Sequence, residues 1–162
     1  PHVNLQIVDE HDIPVPQGHI GELTVQGENV MLGYFKDAEK TKQTLRNGWL
    51  HTGDLAFLDE DGVLYIKGRK DDMIIRAGMN IYPAEIENAL STDARVRDVL
   101  AYGYAANGTQ EVGINICGDF SDTEEVALLC RKKLPAFQMP RKIELMNSNE
   151  VQLGGKKKRR LL

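Results

Sequence analysis

Short runs of alternating hydrophobic and polar residues dominate the first part of the chain, a pattern typical of half-buried β-strands. The alternation predicts strands over residues 5–9 and 20–25. Pro14, Pro16 and Gly18 indicate a turn between these two strands. The first part of the chain is therefore predicted to be mainly β.

One helix and one hairpin complete this strand-rich part. The helix is predicted over residues 37–45, with Asp37 as its N-cap and residues 40–42 exposed. The hairpin is predicted to join strands 55–58 and 63–67, because the Asp-Gly pair between them tolerates the positive φ that such turns need.

From residue 73 onward, helical and strand periodicities occur together. Residues 73–75 and 80–82 are predicted to pair as a small hairpin around Gly78. Further strands are predicted over residues 96–104, 111–117 and 142–145. This part of the chain is predicted to combine a sheet with helices that pack against it.

Two amphipathic helices are predicted in this second part. The first begins at Pro83, whose missing N–H costs nothing in a first turn. Its buried face is expected to consist of Ile86, Ala89 and Leu90. The second begins at Ser121, with Glu124 completing a capping box. Its buried face is expected to consist of Val126, Leu129, Cys130 and Leu134. Glu85 and Glu87 are expected to face solvent.

Composition narrows the possible functions. The chain has 162 residues, of which 41% are hydrophobic, enough for one core or two small ones. Its net charge of −4 argues against general affinity for nucleic acid or membranes, which attract basic surfaces. No apolar run is long enough for a transmembrane segment, and no signal-peptide pattern opens the chain.

The cysteines and histidines predict neither a disulfide nor a metal site. Cys117 and Cys130 lie in apolar segments and are interpreted as reduced core thiols, which fits a cytoplasmic protein. The histidines at positions 2, 11, 19 and 51 lack the spacing of metal ligands. We therefore predict no metal site on this chain.

Five motifs carry the candidate chemistry. The longest occupies residues 68–87 and reads G-R-K-D-D-M-I-I-R-A-G-M-N-I-Y-P-A-E-I-E. The others are G-E-L-T-V-Q-G with V-M-L-G-Y within 21–34, G-W-L-H-T-G-D at 48–54, L-P-A-F-Q-M-P at 134–140 and G-K-K-K-R-R at 155–160. In this order they resemble the motifs of adenylate-forming enzymes, the superfamily of acyl-CoA synthetases, luciferase and peptide-synthetase adenylation domains. The resemblance is nearest to AMP-forming acyl-CoA (fatty-acid–CoA) ligases.

The resemblance implies a domain organisation. Residues 1–68 would be the β-rich end of the large domain, residues 69–72 the hinge, and residues 73–162 a small mobile domain with a mainly antiparallel sheet and flanking helices. The family's Ser/Thr/Gly-rich phosphate loop and its magnesium-binding Thr-Glu motif are absent from the chain. The chain is therefore expected to be the C-terminal piece of a longer protein, whose missing N-terminal domain binds Mg²⁺.

The resemblance also implies a nucleotide site at the domain junction. Asp54 would accept hydrogen bonds from the ribose hydroxyls, with Gly53 permitting a tight approach; the alternative is a turn or capping aspartate. Arg69 would reach the ribose or the phosphate, since its guanidinium offers several fixed donors. The alternative for Arg69 is a surface ion pair with Asp71 or Asp72. Asp71 would be the hinge residue, where the backbone absorbs the rotation.

Two further residues are implicated by the same resemblance. Lys156 would be the catalytic lysine that offsets charge between the acid and the α-phosphate. Residues 150–153, however, depart from the family's usual Pro- and Thr-containing approach to this lysine. The alternative for residues 156–160 is a solvated basic tail, or a nuclear-targeting or nucleic-acid patch. Gly78 would let the pantetheine arm of CoA approach closely, or simply serve the hairpin turn.

The function implied is an ATP-dependent acid–thiol ligase of the acyl-CoA synthetase type. A carboxylic acid and ATP would give acyl-adenylate and pyrophosphate, and CoA would take the acyl group after domain rotation. The isolated fragment is expected to be inactive, because the phosphate loop and acyl pocket are missing. Two alternatives stay open: an adenylation domain that loads a carrier protein, and a non-catalytic binding module with a basic tail.

Overall fold

The computed structural model describes residues 3–106 and 108–146. The chain divides into two compact units, Pro1–Asp71 and Asp72–Leu162. This boundary falls inside the range 69–72 that the sequence interpretation gives to the hinge. The identity of the two units as domains of a larger enzyme stays a prediction.

The first unit is built on an antiparallel sheet. Its elements are β1 (Asn4–Val8), β2 (Gly21–Gln26), α1 (Ala38–Thr44), β3 (Leu45–Arg46), β4 (Trp49–Leu58) and β5 (Leu64–Arg69). The strand β4 is central, because it pairs with β2, β3 and β5, while β1 pairs with the far edge of β2. A small core of Ile7, Leu23 and Ala56 lies against this sheet.

The predictions for this unit hold with two corrections. The strands, the hairpin and the Asp37 cap are confirmed, the cap accepting the backbone N–H of Lys40 at 2.9 Å. Thr41, expected to be exposed, is half-buried because its hydroxyl donates to the Asp37 carbonyl at 2.7 Å. The strand β4 begins at Trp49 rather than at residue 55, so the T-G-D motif belongs to a strand.

The second unit contains a hairpin, a three-stranded sheet and two helices. Its elements are β6 (Ile74–Arg76), β7 (Met79–Ile81), α2 (Pro83–Leu90), β8 (Val96–Ala106), β9 (Thr109–Gly118), α3 (Thr123–Lys133) and β10 (Lys142–Leu145). The strands β8 and β9 are antiparallel, and β10 joins β9 in parallel. Both helices and the sheet share one core, which includes Ile86, Leu90, Ile114, Val126 and Cys130. The predicted α+β class, with a mainly antiparallel sheet and flanking helices, is confirmed.

Two predictions about the helices of this unit are wrong. The N-cap of α3 is Asp122 rather than Ser121, because the Asp122 carboxylate accepts the N–H groups of Glu124 and Glu125. Glu87 is not solvated: it is 9% exposed, and its carboxylate accepts the Ala101 N–H at 3.0 Å. The predicted buried faces of both helices, and the burial of the two cysteines, are confirmed.

Candidate functional site

A β-bulge in β4 shapes the T-G-D motif. Along the pairing with β2, Leu55 lies opposite Glu22 and His51 lies opposite Thr24. Three residues of β4, 52–54, therefore face the single residue Leu23 on β2. Bulges of this kind redirect side chains at sheet edges and beside active sites. Here the bulge directs the T-G-D backbone out of the regular ladder.

Hydrogen bonds that β4 donates to β2 hold the bulge. The Thr52 hydroxyl donates to the Leu23 carbonyl at 2.8 Å and accepts the Asp54 N–H at 3.0 Å. The Gly53 N–H donates to the Glu22 carboxylate at 3.2 Å. The position of Asp54 is thus set by its two predecessors and by two residues of a distant strand.

Asp54 and Arg69 meet across the next strand pair. They are register partners in β4 and β5, and Arg69 Nη1 lies 3.0 Å from Asp54 Oδ1. The same nitrogen donates to the Thr52 carbonyl at 2.8 Å. The side chains are 33% exposed for Asp54 and 50% exposed for Arg69. A carboxylate and a guanidinium are thus presented side by side to solvent.

Gly53 makes room for Arg69. Its φ of +73° favours glycine, and a Cβ there would lie 2.9 Å from Arg69 Nη2. In this structure the group that approaches Gly53 closely is the Arg69 guanidinium. Arg69 forms an ion pair with Asp54, a partner other than the Asp71 or Asp72 considered from the sequence.

Glu22 is a central residue of this site that sequence reasoning missed. Its side chain is 8% exposed, and its carboxylate lies 3.0 Å from Lys70 Nζ and 3.5 Å from His51 Nδ1. Burial opposes ionisation of Glu22, but the hydrogen bond and charge of Lys70, with His51, outweigh burial and lower the pKa. A glutamate flanked by buried strand residues is the signal that could have identified it.

Asp71 lies in a 3-10 turn, Lys70–Asp72, directly after β5. Asp71 is exposed, and the boundary between the two compact units follows it. Its role as the pivot of a rotation stays a prediction.

Gly78 lies in the second unit, at the tip of the β6–β7 hairpin. Ile74, Ile75 and Arg76 pair with Ile81, Asn80 and Met79, which leaves Ala77 and Gly78 as a two-residue turn. Both turn residues have positive φ, +50° and +78°. This is the twist that tight hairpins prefer. Among the described residues, no atom lies within 4 Å of a Cβ at Gly78.

Lys156 lies outside the described residues, so the structure brings together only Asp54 and Arg69 of the predicted site. Within residues 3–106 and 108–146, no group of three His, Cys, Asp or Glu side chains is arranged to hold a metal ion. In that same part of the chain, no helix has the length and apolar character needed to cross a bilayer.

Comparison with known proteins identifies the family. No family model matches the chain. A long-chain-fatty-acid–CoA ligase of Escherichia coli O6:H1 is 42% identical over 147 residues, which cover 89% of this chain and 26% of that ligase. A 2-succinylbenzoate–CoA ligase of Bacillus mycoides is 39% identical over 138 residues, which cover 83% of this chain and 28% of that ligase. The chain thus spans about a quarter of the length of these curated relatives.

Solved structures agree with the sequence relatives. The amide bond synthetase McbA of Marinactinospora thermotolerans superposes with a TM-score of 0.81 at 33% identity, covering 91% of this chain and 31% of McbA. The o-succinylbenzoate CoA synthetase MenE of Bacillus subtilis, solved with an acyl-adenylate intermediate, superposes with a TM-score of 0.82 at 29% identity. That match covers 89% of this chain and 30% of MenE. The chain belongs to the superfamily of adenylate-forming enzymes, and it matches their C-terminal portion.

Proposed function

We propose that the chain is the C-terminal part of an AMP-forming acid–thiol ligase of the acyl-CoA synthetase type. The observation that carries this proposal is the pairing of Asp54 with Arg69 at the partly exposed end of the β4–β5 pairing. The pair joins the T-G-D and G-R-K-D motifs, which are 15 residues apart in the chain. The Asp54 carboxylate can accept hydrogen bonds from a ribose, and the Arg69 guanidinium beside it can donate several hydrogen bonds to a neighbouring phosphate.

In the first half-reaction, Asp54 and Arg69 hold the nucleotide. Arg69 bonds Oδ1 of Asp54, and a ribose hydroxyl would donate to Oδ2. The remaining guanidinium N–H groups of Arg69 would donate to the ribose or to the α-phosphate. The Gly53 N–H is bonded to Glu22, and the Arg69 guanidinium is bonded to the Thr52 carbonyl, before any nucleotide binds. The site therefore needs little reorganisation to bind the nucleotide.

Magnesium belongs elsewhere in the enzyme by this proposal. Glu22 and Asp54, the two carboxylates nearest the site, are engaged by the cations of Lys70 and Arg69. The proposal therefore assigns Mg²⁺ to the N-terminal domain of the longer enzyme, where the resemblance implies the magnesium-binding Thr-Glu motif.

The remaining residues are assigned to positioning and to the second half-reaction. Lys156 would offset charge between the acid and the α-phosphate, and Asp71 would allow the rotation that follows. The sulfur of CoA then bonds the acyl carbon, the bond from that carbon to the AMP phosphate oxygen breaks, and AMP leaves with the electron pair. The thiol proton passes to solvent. Gly78 would lie beside the pantetheine arm during this step.

A chimera tests the proposal. The chain replaces the matched C-terminal portion of the Escherichia coli ligase that is 42% identical to it. Adenylate formation is measured as the release of pyrophosphate. The formation of acyl-CoA is measured in a separate assay with a long-chain fatty acid. We expect both reactions, and we expect Asp54→Ala to slow adenylate formation by about 10- to 100-fold, since hydrogen bonds to a charged group contribute about 1.5–3 kcal/mol. Glu60→Ala, an exposed turn residue, is the matched control.

A folded chimera that makes no adenylate counts against the proposal when the relative, rejoined at the same junction, is active. A mismatched junction would also silence the chimera, so the 162-residue chain is titrated with AMP in parallel. The proposal predicts shifts of the backbone amide resonances of residues 52–54 and 69, which Asp54→Ala abolishes. An unchanged spectrum together with an inactive chimera overturns it.

A further inference from the structure

The segment 134–140, L-P-A-F-Q-M-P, has no role in the function proposed above. Its backbone is fixed locally: Leu134 ends α3, and Pro135 precedes a 3-10 turn over Ala136–Gln138. Pro140 restricts the other end. We refer to residues 134–140 as the brace segment.

Arg76 binds the carbonyls of the brace segment. Its Nη1 donates to the Met139 carbonyl at 2.9 Å and to the Phe137 carbonyl at 3.2 Å. Its Nε lies 2.9 Å from Glu111 Oε2 on β9. The side chains of Arg76 and Glu111 are 15% and 16% exposed, so this is a largely buried cation with two carbonyl acceptors and one carboxylate as its ion-pair partner. An arginine rather than a lysine suits this arrangement, because only the guanidinium fork reaches several acceptors at once.

Gln138 extends the contact to α2. It is 6% exposed, and its amide donates to Glu85 Oε2 at 3.1 Å. Glu85 lies in the first turn of α2, shortly after the β6–β7 hairpin. Glu85, expected to face solvent, is half-buried and accepts a hydrogen bond from a buried amide.

The Ala77–Gly78 turn is consequently supported on both sides by the same segment. Arg76 precedes the turn directly, and Glu85 follows it after β7. The Ile75 N–H adds a further support by donating to the Gln110 side chain at 2.6 Å. The strand residues directly before the turn are held by long-range hydrogen bonds, whereas Ala77 and Gly78 themselves are exposed. Ala77 has a positive φ, which a non-glycine residue adopts only where its surroundings enforce it.

We propose that the brace segment and Arg76 fix the Ala77–Gly78 turn for the thiol-accepting step, with Arg76 as a positioning residue. This proposal rests on the proposed function for the role of Gly78 in that step. Arg76 acts through the turn and touches neither substrate nor nucleotide. A displaced turn would leave the nucleotide residues Asp54 and Arg69 unaffected, so only the second half-reaction should suffer.

The first experiment measures amide hydrogen exchange in the 162-residue chain. We expect Arg76→Gln to accelerate exchange over residues 75–79 by about tenfold or more, the effect of losing a charge-assisted hydrogen bond. Exchange within the first unit should stay unchanged. Arg141→Gln is the matched control, because Arg141 lies 3.8 Å from the same Glu111 oxygen but is 67% exposed. Unchanged protection of residues 75–79 in folded Arg76→Gln would overturn the proposal.

A second variant keeps the proposal testable if Arg76→Gln does not fold. Glu85→Ala removes the acceptor of Gln138, in the helix that follows the hairpin. It should accelerate exchange over residues 79–82 by a smaller factor. No change in this variant would show that the brace segment does not hold the hairpin.

The second experiment separates positioning from general stability. In the chimera, Arg76→Gln should lower the rate of acyl-CoA formation about tenfold while adenylate formation stays within about twofold, and Arg76→Lys should restore part of the loss. Equal losses in both half-reactions would assign Arg76 a structural role only and overturn its positioning role. An inactive unsubstituted chimera would count against the proposed function, whereas the exchange experiment would still decide whether the brace exists.

Discussion

Replacing Gly53 by alanine is predicted to destabilise the first unit through two separable effects. The backbone at φ +73° disfavours any Cβ, which costs about 1–2 kcal/mol. The new methyl group would also lie 2.9 Å from Arg69 Nη2, so the guanidinium has to move. Its exposed ion pair with Asp54 contributes about 0.2–1 kcal/mol, and its bond to the Thr52 carbonyl about 1 kcal/mol. The total expected loss is about 2–4 kcal/mol.

Gly62→Ala provides the matched control in the same unit. Gly62 has a φ of +78°, and among the described residues nothing lies within 4 Å of the added Cβ. This variant should therefore show the backbone cost alone, about 1–2 kcal/mol. The difference between the two variants isolates the displacement of Arg69.

Urea unfolding followed by tryptophan fluorescence measures both variants. The single tryptophan, Trp49, lies in β4 four residues before Gly53 and so reports on this unit. In an Arg69→Ala background the methyl group has space, and the extra cost of Gly53→Ala should disappear. The reasoning is refuted if Gly53→Ala costs no more than Gly62→Ala, or if its extra cost persists without the Arg69 side chain.

Three further predictions concern single groups. The pKa of Glu22 is lowered, so its contribution to the free energy of unfolding is present above the ordinary glutamate pKa and is lost as the pH falls through the lowered value. Urea unfolding between pH 7 and 3 should therefore show a weaker dependence of stability on pH for Glu22→Gln than for the unsubstituted chain. Burial raises the pKa of Cys130 to about 11, so native protein at pH 8 should leave both Cys130 and the buried Cys117 unlabelled by a thiol reagent that modifies both in denaturant. Asp122→Ala should cost about 1 kcal/mol in thermal unfolding and Ser121→Ala much less, which reverses the cap assignment made from sequence.

Local patterns predicted most of the secondary structure. Alternation located β1 and β2, and the Asp-Gly turn located the β4–β5 hairpin, because these signals depend only on neighbouring residues. The cap of α3 shows the limit of such signals. Ser121, Asp122 and Thr123 are all plausible caps, and the choice depends on which side chain reaches the first N–H groups of the folded helix.

The sequence by itself determined the family, the order of its motifs and the candidate residues Asp54, Arg69 and Gly78. The order of the motifs can be read from the sequence alone. The sequence could not determine which hydrogen bonds hold these residues in place.

Only the tertiary structure decided the surroundings of the site. Glu22 holds Gly53 and Lys70, which lie 31 and 48 residues away, and Arg76 holds carbonyls more than 60 residues away. Glu87 was expected to face solvent, but it accepts a hydrogen bond from the Ala101 N–H. This face of the helix becomes buried only when a distant strand packs against it. Sequence periodicity specifies which positions can be buried, whereas the partner of a buried charge depends on contacts that exist only once the chain has folded.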